Sequence, residues 1–399
     1  MIDLKAARND PDGVRAALAR KGAGDAFDAL VAADERWREL VPKVDELRSR
    51  TKLKGKPTPE QVAELQQVKE DLRAAEDALS GAEAEREELL LRVPNPPHAT
   101  VPDGVSEDEA EEIRRVGEPP TLAEVKEHTE IGRFDMERAA RVSGSRFGYW
   151  IGDVALLALA MYRLAIDRLT GKGFVPVLPP VLVREEALVG TGWFPTDDPN
   201  VYEIESDQLF LAATAEIPLG GLHLGEILTA EELPLRYAGF SPCFRSEAGA
   251  AGRDTRGMFR VHQFNKVEQF SFALAEESWD EHEFLLANTE EIVAELGLPY
   301  RVVVLPAGDM SKASAKTYDV EIWFPSHDRY REVASISNTT DYQARRLNTR
   351  VRREHGREPV HTLNGTTVVD RMVLALLENF QGDVPDALAP YGAPPRVES

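Results

Sequence analysis

The sequence predicts an α+β protein, in which an N-terminal antiparallel helical hairpin precedes a larger domain with an antiparallel β-sheet flanked by helices. Two features indicate this fold. Apolar residues recur at steps of three and four over 27–47 and again over 62–89, as in paired amphipathic helices. Further along, strand-like runs follow one another without regular crossover helices, which favours a mainly antiparallel sheet.

The predicted hairpin, about residues 27–92, forms a coiled-coil arm with a basic tip. A turn at 52–57 separates its helices, and Thr58 with Gln61 can form a capping box that starts the second helix. The tip carries five basic residues without an intervening acid: Arg48, Arg50, Lys52, Lys54 and Lys56. A dimerisation coiled coil is one interpretation, but this basic tip favours an arm that contacts a polyanion.

An acidic, proline-containing linker near 93–120 separates the arm from the larger domain. We therefore predict an N-terminal domain over 1–102 and a second domain over 103–399. In the second domain, the prolines of an extended segment at 174–183 restrict it to an edge strand or a subunit interface. Predicted strands are 208–212, 235–244, 264–273, 300–305, 318–323 and 331–337, and predicted helices are 151–170, 215–224, 278–296 and about 370–379. The arginine-rich run at 345–357 is also predicted to be helical.

The composition excludes several classes of protein. A single cysteine, Cys243, excludes an internal disulfide framework and a CxxC zinc knuckle, so we expect no structural zinc. The start of the sequence does not resemble a signal peptide, and the longest apolar run, 154–162, is too short to span a bilayer. We therefore expect a cytoplasmic protein without a membrane partner. Neither a GxxxxGK[ST] loop nor a GxGxxG turn occurs, which argues against P-loop and Rossmann enzymes.

The formal net charge of −22 argues against a nucleic-acid partner only if the charge is evenly spread, because phosphate binding needs a basic surface. The excess acid lies mainly at 93–130 and 267–339, whereas the arm tip and a loop near 253–260 are basic. We therefore expect an acidic body that restricts RNA to a few basic contact points.

Polar side chains concentrate on two predicted neighbouring strands joined by a glycine-rich basic loop. Arg245 and Glu247 lie two residues apart and so share one face, and the same rule places Phe264, Lys266 and Glu268 together. Converging charges are costly in a core. In a site they have a use, because arginine can clamp a carboxylate and a phosphate, and phenylalanine can stack on a base. The pattern therefore predicts a site for a nucleotide and an anion.

Several segments together resemble the bacterial-type seryl-tRNA synthetases, which are class II aminoacyl-tRNA synthetases. The matching segments are 173–183 for motif 1, 214–216 for the serine-binding TxE element, 244–268 for motif 2, 330–346 for a later ATP-binding segment and 362–379 for motif 3. The resemblance covers nearly the whole chain, including the arm.

This resemblance implies a class II catalytic core, a homodimer, and ATP-dependent activation of L-serine with transfer to tRNA(Ser), for which the basic arm tip is the implied docking element. It implies that Arg245 bridges the serine carboxylate and the α-phosphate, and that Phe264 and Arg371 enclose the adenine. The implied ATP-binding residues are Arg245, Ser246, Glu247, Phe264, Glu332, Val333, Ala334, Ser335 and Arg371, of which Arg245 and Arg371 are catalytic. Glu332 and Ser335 would hold Mg²⁺ with ATP. The implied serine-binding residues are Thr214, Ala215, Glu216, Glu268 and Thr366.

The sequence departs from the family pattern in motif 3. The stretch Asn364–Arg371 is one residue shorter than the common NGSGLAVGR, and Asp370 stands where that pattern has glycine. Either Thr366 or Thr367 could therefore present the hydroxyl that meets serine, and Asp370 could weaken the hold of Arg371 on ATP. The arm also looks shorter than is usual in the family.

These departures keep two alternatives open. One is a paralogue that adenylates serine or an analogue for a different acceptor or for inhibitor resistance. The other is a non-catalytic RNA-binding or scaffold protein, against which the converging charges argue because a scaffold does not need them.

Overall fold

The computed structural model describes residues 1–52, 58–196, 200–248 and 257–398, and the chain divides into two compact units, Met1–Pro96 and Pro97–Ser399. The first unit is helical. Its helices are α1 (Leu4–Asn9), α2 (Pro11–Ala19), α3 (Gly24–Arg50) and α4 (Pro59–Arg92).

Helices α3 and α4 form the predicted antiparallel hairpin. Val44 and Leu47 of α3 pack against Val68 and Ala75 of α4 in a small apolar core. The ion pairs show that the pairing is antiparallel. Arg36 in the middle of α3 bonds Glu85 of α4 at 2.7 Å, whereas Arg48, further along α3, bonds Glu76, which lies earlier in α4. The hairpin prediction is confirmed.

The capping box that the sequence predicts at the start of α4 is present. The Thr58 backbone N–H donates to Gln61 Oε1 at 2.9 Å, and the Gln61 N–H donates back to Thr58 Oγ1 at 3.3 Å. Pro59 occupies the first helical position, where its missing N–H removes no intrahelical bond. Two residues of the predicted basic tip, Lys54 and Lys56, lie outside the described residues.

The second unit combines helices with an extensive sheet. Its helices are α5 (His128–Ile131), α6 (Met136–Ser143), α7 (Asp153–Gly171), α8 (Glu185–Thr191), α9 (Glu216–Gly220), α10 (Ser278–Glu295), α11 (Tyr342–Leu347) and α12 (Asp370–Phe380). Its strands are β1 (Glu111–Val116), β2 (Phe134–Asp135), β3 (Tyr149–Trp150), β4 (Val175–Val177), β5 (Leu182–Val183), β6 (Glu203–Ile204), β7 (Leu209–Leu211), β8 (Ile227–Thr229), β9 (Leu235–Phe244), β10 (Gln263–Ala273), β11 (Tyr300–Val304), β12 (Lys316–Phe324), β13 (Arg329–Asn338), β14 (Arg350–Arg353), β15 (Gly356–Pro359) and β16 (His361–Val369).

An eight-stranded sheet organises this unit, in the order β1-β11-β12-β13-β16-β10-β9-β4. Every neighbouring pair is antiparallel except β4 with β9, so the prediction of a mainly antiparallel sheet is confirmed. Strand β4 contains Pro176 and lies at the edge, as the missing proline N–H requires.

The main apolar core lies where α7, α10 and α12 pack against one face of this sheet. Met161 of α7, Leu285 of α10 and Val373 of α12 are fully buried there with Val320 and Ile336 of the sheet. Gln269 and Ser271 of β10 bond residues of α10 on this face. Because alternate strand residues point to opposite faces, Lys266 and Glu268 project on the other side. Among the described residues, no helix is both long and apolar enough to cross a membrane.

Two parts of the sequence-based assignment are wrong. The predicted helix at 345–357 holds only the end of α11, after which the arginine-rich chain forms the hairpin of β14 and β15. Asn348 in the left-handed region ends α11, and Gly356 (φ 143°) follows the turn of the hairpin. The predicted linker near 93–120 contains β1, which pairs with β11 although all six of its residues are exposed.

Candidate active site

Polar and aromatic side chains from five elements converge on one cleft beside the sheet. These elements are β10, β13 and β16, the described residues between β9 and β10, and the first turn of α12. The cleft is lined by Arg245, Glu247, Met258, Phe259, Arg260, Val261, Phe264, Lys266, Glu332, Val333, Thr366, Val369, Asp370 and Arg371. Of the residues predicted to converge on one site, Arg245, Glu247, Phe264 and Lys266 line this cleft, whereas Glu268 does not.

We call the first part of this cleft the arginine end, formed by Arg245, Glu247, Phe264, Glu332 and Arg371. The guanidinium of Arg245 lies 5.2 Å from the ring centroid of Phe264, and its Nε donates to the Ala213 carbonyl at 3.4 Å. The Arg371 guanidinium bonds Glu332 at 3.1 Å.

Glu247 is held in an uncommon backbone conformation at the arginine end. Its φ of 51° lies in the left-handed region, and its N–H donates to Asn200 Oδ1 at 2.6 Å. Its carboxylate forms an ion pair with Arg260 at 2.6 Å. The backbone of this residue is therefore fixed by Asn200, and its side chain reaches into the cleft.

Phe259 is a member of this end that the sequence pattern did not reveal. The guanidinium carbons of Arg331 and Arg371 lie 4.0 Å and 4.7 Å from its ring centroid, and Arg371 Nε donates to its carbonyl at 3.2 Å. Because Phe259 lies in a loop, no strand or helix periodicity could have marked it.

Glu332 lies among positive charges. Partial burial acts to raise its pKa, but Arg371, Arg245 and Lys266 outweigh this and lower the pKa below its usual value. Ser335 Oγ is 3.5 Å from Glu332 Oε1. Across the strand pair, Asp319 is opposite Ser335, and burial followed by the charge of Glu332 raises its pKa well above the usual value.

Beside the arginine end lies a connected polar network that we call the carboxylate end, formed by Thr214, Glu216, Lys266, Glu268 and Thr366. Of these residues, Lys266 and Thr366 line the cleft. Lys266 is buried with its Nζ 2.5 Å from Glu268 Oε2 and 2.8 Å from Thr214 Oγ1. Sequence analysis placed Lys266 on the same strand face as Glu268 but gave it no role.

Glu216 closes the carboxylate end. Its Oε1 accepts from Gln343 Nε2 at 2.8 Å and from Asn364 Nδ2 at 3.0 Å. Burial, followed by the nearby charge of Glu268, raises the pKa of Glu216 to about 7. A cation that binds next to such a carboxyl group lowers its pKa and favours the charged form.

The structure distinguishes the two threonines of motif 3. Thr366 lines the cleft, and its Oγ1 lies 3.4 Å from Glu268 Oε2. Thr367 is fully buried and does not line the cleft, and its Oγ1 has no hydrogen-bond partner among the described residues. Of the two hydroxyls, only that of Thr366 faces the cleft.

Asp370 does not form an ion pair with Arg371 in the structure. Its carboxylate accepts from the Tyr162 hydroxyl and, at 3.1 Å, from the Asn265 N–H, while Arg371 bonds Glu332. Burial raises the pKa of Asp370 to about 6. The structure therefore does not support the hypothesis that Asp370 weakens Arg371 by direct pairing.

Seven residues of the predicted set are not among those that line the cleft: Thr214, Ala215, Glu216, Ser246, Glu268, Ala334 and Ser335. Ala215 and Ala334 are buried in apolar clusters, and the Ser246 hydroxyl donates to Asn200 Oδ1 at 3.2 Å. Any contact that Ala215 or Ala334 makes with a ligand would come from the backbone. Among the described residues, no group of three or more His, Cys, Asp or Glu side chains is arranged to hold a metal ion by itself.

The described part of the basic arm tip is partly paired within the hairpin. Arg48 bonds Glu76 at 2.9 Å, and Arg50 lies 3.8 Å from Glu64. Both arginine side chains are still about half exposed, and Lys52 is exposed. These three cations lie on the surface at one end of the hairpin.

Comparison with known proteins identifies the family. The model of the Seryl-tRNA synthetase N-terminal domain matches residues 1–97, and that of the tRNA synthetase class II core domain (G, H, P, S and T) matches 200–380. A serine–tRNA ligase of Streptomyces coelicolor is 44% identical over 414 residues, which covers 98% of this chain and 97% of the relative. The chain belongs to the seryl-tRNA synthetase family.

Two further matches extend over nearly the full length. A serine–tRNA ligase of Pelotomaculum thermopropionicum is 41% identical, with 98% of each chain covered. The crystal structure of seryl-tRNA synthetase from Pyrococcus horikoshii complexed with ATP has a TM-score of 0.93 at 37% identity, and covers 100% of this chain and 99% of that chain.

Family membership confirms the predicted fold, a helical arm followed by a class II core, and the predicted enzyme class, a serine–tRNA ligase. The full-length matches to serine–tRNA ligases give no support to a seryl-tRNA synthetase paralogue with another acceptor.

Proposed function

We propose that this seryl-tRNA synthetase activates L-serine at the described cleft, with ATP at the arginine end and serine at the carboxylate end. The observation that carries this proposal is the position of Arg245, which directly follows β9. Strand β9 pairs with the β10 residues Lys266 and Glu268 of the carboxylate end, and the Arg245 guanidinium lies over the ring of Phe264 at the arginine end. A guanidinium there can touch the serine carboxylate and the α-phosphate together.

In the proposed first step, a serine carboxylate oxygen attacks the α-phosphorus of ATP, the bond to the β-phosphate oxygen breaks, and pyrophosphate leaves. No protein nucleophile is required. Arg245 and Arg371 hold the reacting groups in line and offset the negative charge that develops. Phe264 supplies a stacking surface for the adenine, and Glu247 an acceptor for its amino group.

In the second step, a hydroxyl at the 3′ end of tRNA(Ser) attacks the serine carbonyl carbon, and AMP leaves. The exposed cations Arg48, Arg50 and Lys52, with Lys54 and Lys56 outside the described residues, are suited to bind tRNA phosphates. To make these contacts, Arg48 and Arg50 would give up their ion pairs between the two helices of the hairpin. Breaking exposed ion pairs costs little free energy.

Serine recognition follows from the carboxylate end. Glu216 and Glu268 can accept from the serine ammonium and hydroxyl, and Thr366 adds a hydroxyl beside Glu268 at 3.4 Å. An amino acid without a hydroxyl would leave these buried groups unpaired, and sites of this kind discriminate strongly.

The residues proposed for Mg²⁺ fit such an ion. Glu332 and Ser335 offer oxygen donors, which Mg²⁺ prefers, and the nearby buried Asp319 has an Oδ1 atom without a hydrogen-bond partner among the described residues. When bound with ATP, Mg²⁺ would neutralise phosphate charge. Glu332 keeps its negative charge for this role because its pKa is lowered.

We further propose a cytoplasmic homodimer. Exposed apolar side chains on α7 and on the β4–β5 segment support a subunit interface there; Leu159 is 61% exposed and Leu178 is 82% exposed. The substrates ATP and tRNA are intracellular, which supports the location.

The proposal is tested by aminoacylation of tRNA(Ser) with and without its long variable arm, together with serine-dependent pyrophosphate exchange. We expect exchange with serine and ATP alone, and charging that falls when the variable arm is deleted. Background-level exchange would contradict the proposed adenylation.

The arm is tested separately by changing Arg48, Arg50, Lys52, Lys54 and Lys56 together to alanine. The KM for tRNA should rise about tenfold or more while pyrophosphate exchange is preserved, because the lost contacts are to phosphates. A matched control changes Lys69, Arg73 and Arg92, which lie further along α4. If tRNA kinetics were unchanged in the tip variant, the arm would not dock tRNA through these cations.

A further inference from the structure

The strongest unexplained feature near the site is the buried carboxylate of Asp370. It is 4% exposed and lies directly before Arg371, at the first position of α12. The function proposed above gives it no contact with serine, ATP or tRNA. A buried charge of this kind needs compensating partners, so the partners that Asp370 uses are informative.

Asp370 connects three elements through its two oxygens. Oδ1 accepts from the hydroxyl of Tyr162 on α7, and Oδ2 accepts from the backbone N–H of Asn265 on β10 at 3.1 Å. Asn265 is flanked in sequence by Phe264 and Lys266, both of which line the cleft. The carboxylate therefore bonds the strand segment that bears Phe264 to the helix turn that bears Arg371.

The register of the strands shows why such a bond matters here. The ladder between β10 and β16 ends at the pair Lys266–Val369, so Phe264 and Asn265 of β10 lie beyond the last residue that pairs with β16. Regular ladder bonds therefore do not by themselves fix the spacing between residue 264 and residue 371. A side chain that bonds both elements restores that constraint.

Tyr162 fixes the carboxylate from the other side. Its ring is 5% exposed and lies 5.1 Å from the ring of Phe240 on β9, so its hydroxyl has little freedom to move. We propose that Asp370 is a positioning residue, anchored by Tyr162, that sets the separation of Phe264 and Arg371 and so preorganises the adenine site. This inference rests on the proposed ATP site and adds a residue to it.

The role makes Asp370 favourable for ATP, which is the opposite of the effect that its charge beside Arg371 suggests from sequence alone. Loss of its side chain should therefore weaken ATP binding and leave serine binding nearly unchanged, because the carboxylate end is built on other bonds. Asparagine should substitute well. Its Oδ1 can accept from the Asn265 N–H, and its Nδ2 can donate to the Tyr162 hydroxyl oxygen.

The test compares Asp370→Ala, Asp370→Asn and Tyr162→Phe with the unaltered chain in serine-dependent pyrophosphate exchange, titrating ATP and serine separately. We expect the KM for ATP to rise about tenfold in Asp370→Ala and about threefold in Tyr162→Phe, and to stay within about twofold in Asp370→Asn. The KM for serine should stay within about twofold in all three. Circular dichroism checks folding, and Tyr162→Phe carries the test if Asp370→Ala does not fold.

Several results would overturn the positioning role. These are an unchanged or lower KM for ATP in Asp370→Ala, an equal rise of both KM values, or an Asp370→Asn variant as impaired as Asp370→Ala. An unaltered chain without serine-dependent exchange would instead contradict the proposed function, so the two failures are distinguishable.

Discussion

The arginine end and the carboxylate end of the cleft differ in how their charges are paired before any substrate arrives. At the arginine end, Arg371 bonds the half-exposed Glu332, and Arg245 lies against the ring of Phe264. At the carboxylate end, Lys266 is buried and bonded to both Glu268 and Thr214. The first end holds cations that can turn toward phosphate, whereas the second holds a closed, nearly neutral network.

This difference indicates what each substrate must do on binding. ATP brings negative charge to Arg371, which is paired with a half-exposed carboxylate, and to Arg245, which lies against an aromatic ring. Little free energy is lost when these arginines exchange such contacts for contacts with phosphate. Serine must enter a network whose donors and acceptors are already satisfied, so its ammonium and hydroxyl have to replace bonds of comparable strength. Selectivity is therefore expected at the carboxylate end and charge stabilisation at the arginine end.

The largest effect is expected at the arginine end. Changing Arg245 to alanine removes the cation proposed to contact both substrates, and kcat for pyrophosphate exchange should fall about 10²- to 10³-fold. Arg245→Lys keeps the charge without the two-pronged geometry, so an intermediate loss is expected. Steady-state exchange assays measure both. A loss smaller than tenfold in Arg245→Ala would show that Arg245 does not act in the transition state.

Breaking the buried pair at the carboxylate end should have the next largest effect. Glu268→Gln leaves the Lys266 ammonium without its charged partner and removes a proposed serine acceptor, so the KM for serine should rise about 100-fold. The KM for ATP should change little. Thermal unfolding checks that the Lys266–Glu268 pair has been broken. The Lys266→Met, Glu268→Gln double variant should be more stable than Glu268→Gln alone, because it leaves no unpaired buried ammonium group. Equal changes in both KM values would contradict the separation of the two ends.

The two adjacent threonines of β16 offer a matched comparison. Thr366→Val should raise the KM for serine about tenfold, because it removes a hydroxyl beside a carboxylate. Thr367→Val should leave kinetics unchanged and leave stability unchanged or slightly improved, since the Thr367 hydroxyl is buried without a partner among the described residues. If the two variants had equal serine kinetics, Thr366 would not recognise the substrate.

A smaller effect is expected from pH. Since burial and Glu268 raise the pKa of Glu216 to about 7, the carboxyl group is mostly protonated below that pH and mostly charged above it. The serine ammonium needs the charged form, so lowering the pH from about 8 to about 6 should raise the KM for serine about tenfold. Glu216→Gln should bind serine weakly without this pH dependence. A flat profile in the unaltered chain would exclude Glu216 as the titrating acceptor.

The sequence predicted the elements whose side chains follow a regular period. The apolar stripes of α3 and α4 predicted the faces on which these two helices pack. The alternation along β9 and β10 predicted which residues of each strand share a face. Lys266 and Glu268 share one face of β10 because a strand repeats every two residues. Arg245 and Glu247 follow the end of β9, so the same rule does not describe them.

Elements without such a period were missed. Strand β1 is short and exposed on all its residues, so it carries no apolar alternation and was taken for linker. The chain at Arg350–Arg353 was assigned to a helix because an arginine run fits either structure, and Gly356 was not weighed as a turn signal.

Part of the site depends on contacts that join distant segments. Phe259 and Tyr162 reach the site through packing across more than 100 residues of chain, which no local pattern encodes. Asp370 drew attention as a departure from the family pattern, but its partners were invisible in sequence. The positioning role that we propose for Asp370 reverses the sign of its expected effect on ATP binding.

Lys266 has a consequence for the chemistry of inhibitors. Because its ammonium already lies against Glu268, a compound without an amine leaves that carboxylate paired with the protein's own cation. Only Glu216 then lacks a cationic partner. An amine-free serine mimic should therefore forfeit one charged hydrogen bond, roughly 1.5–3 kcal/mol, and not two. Neutral mimics of seryl-adenylate become reasonable starting points for this enzyme.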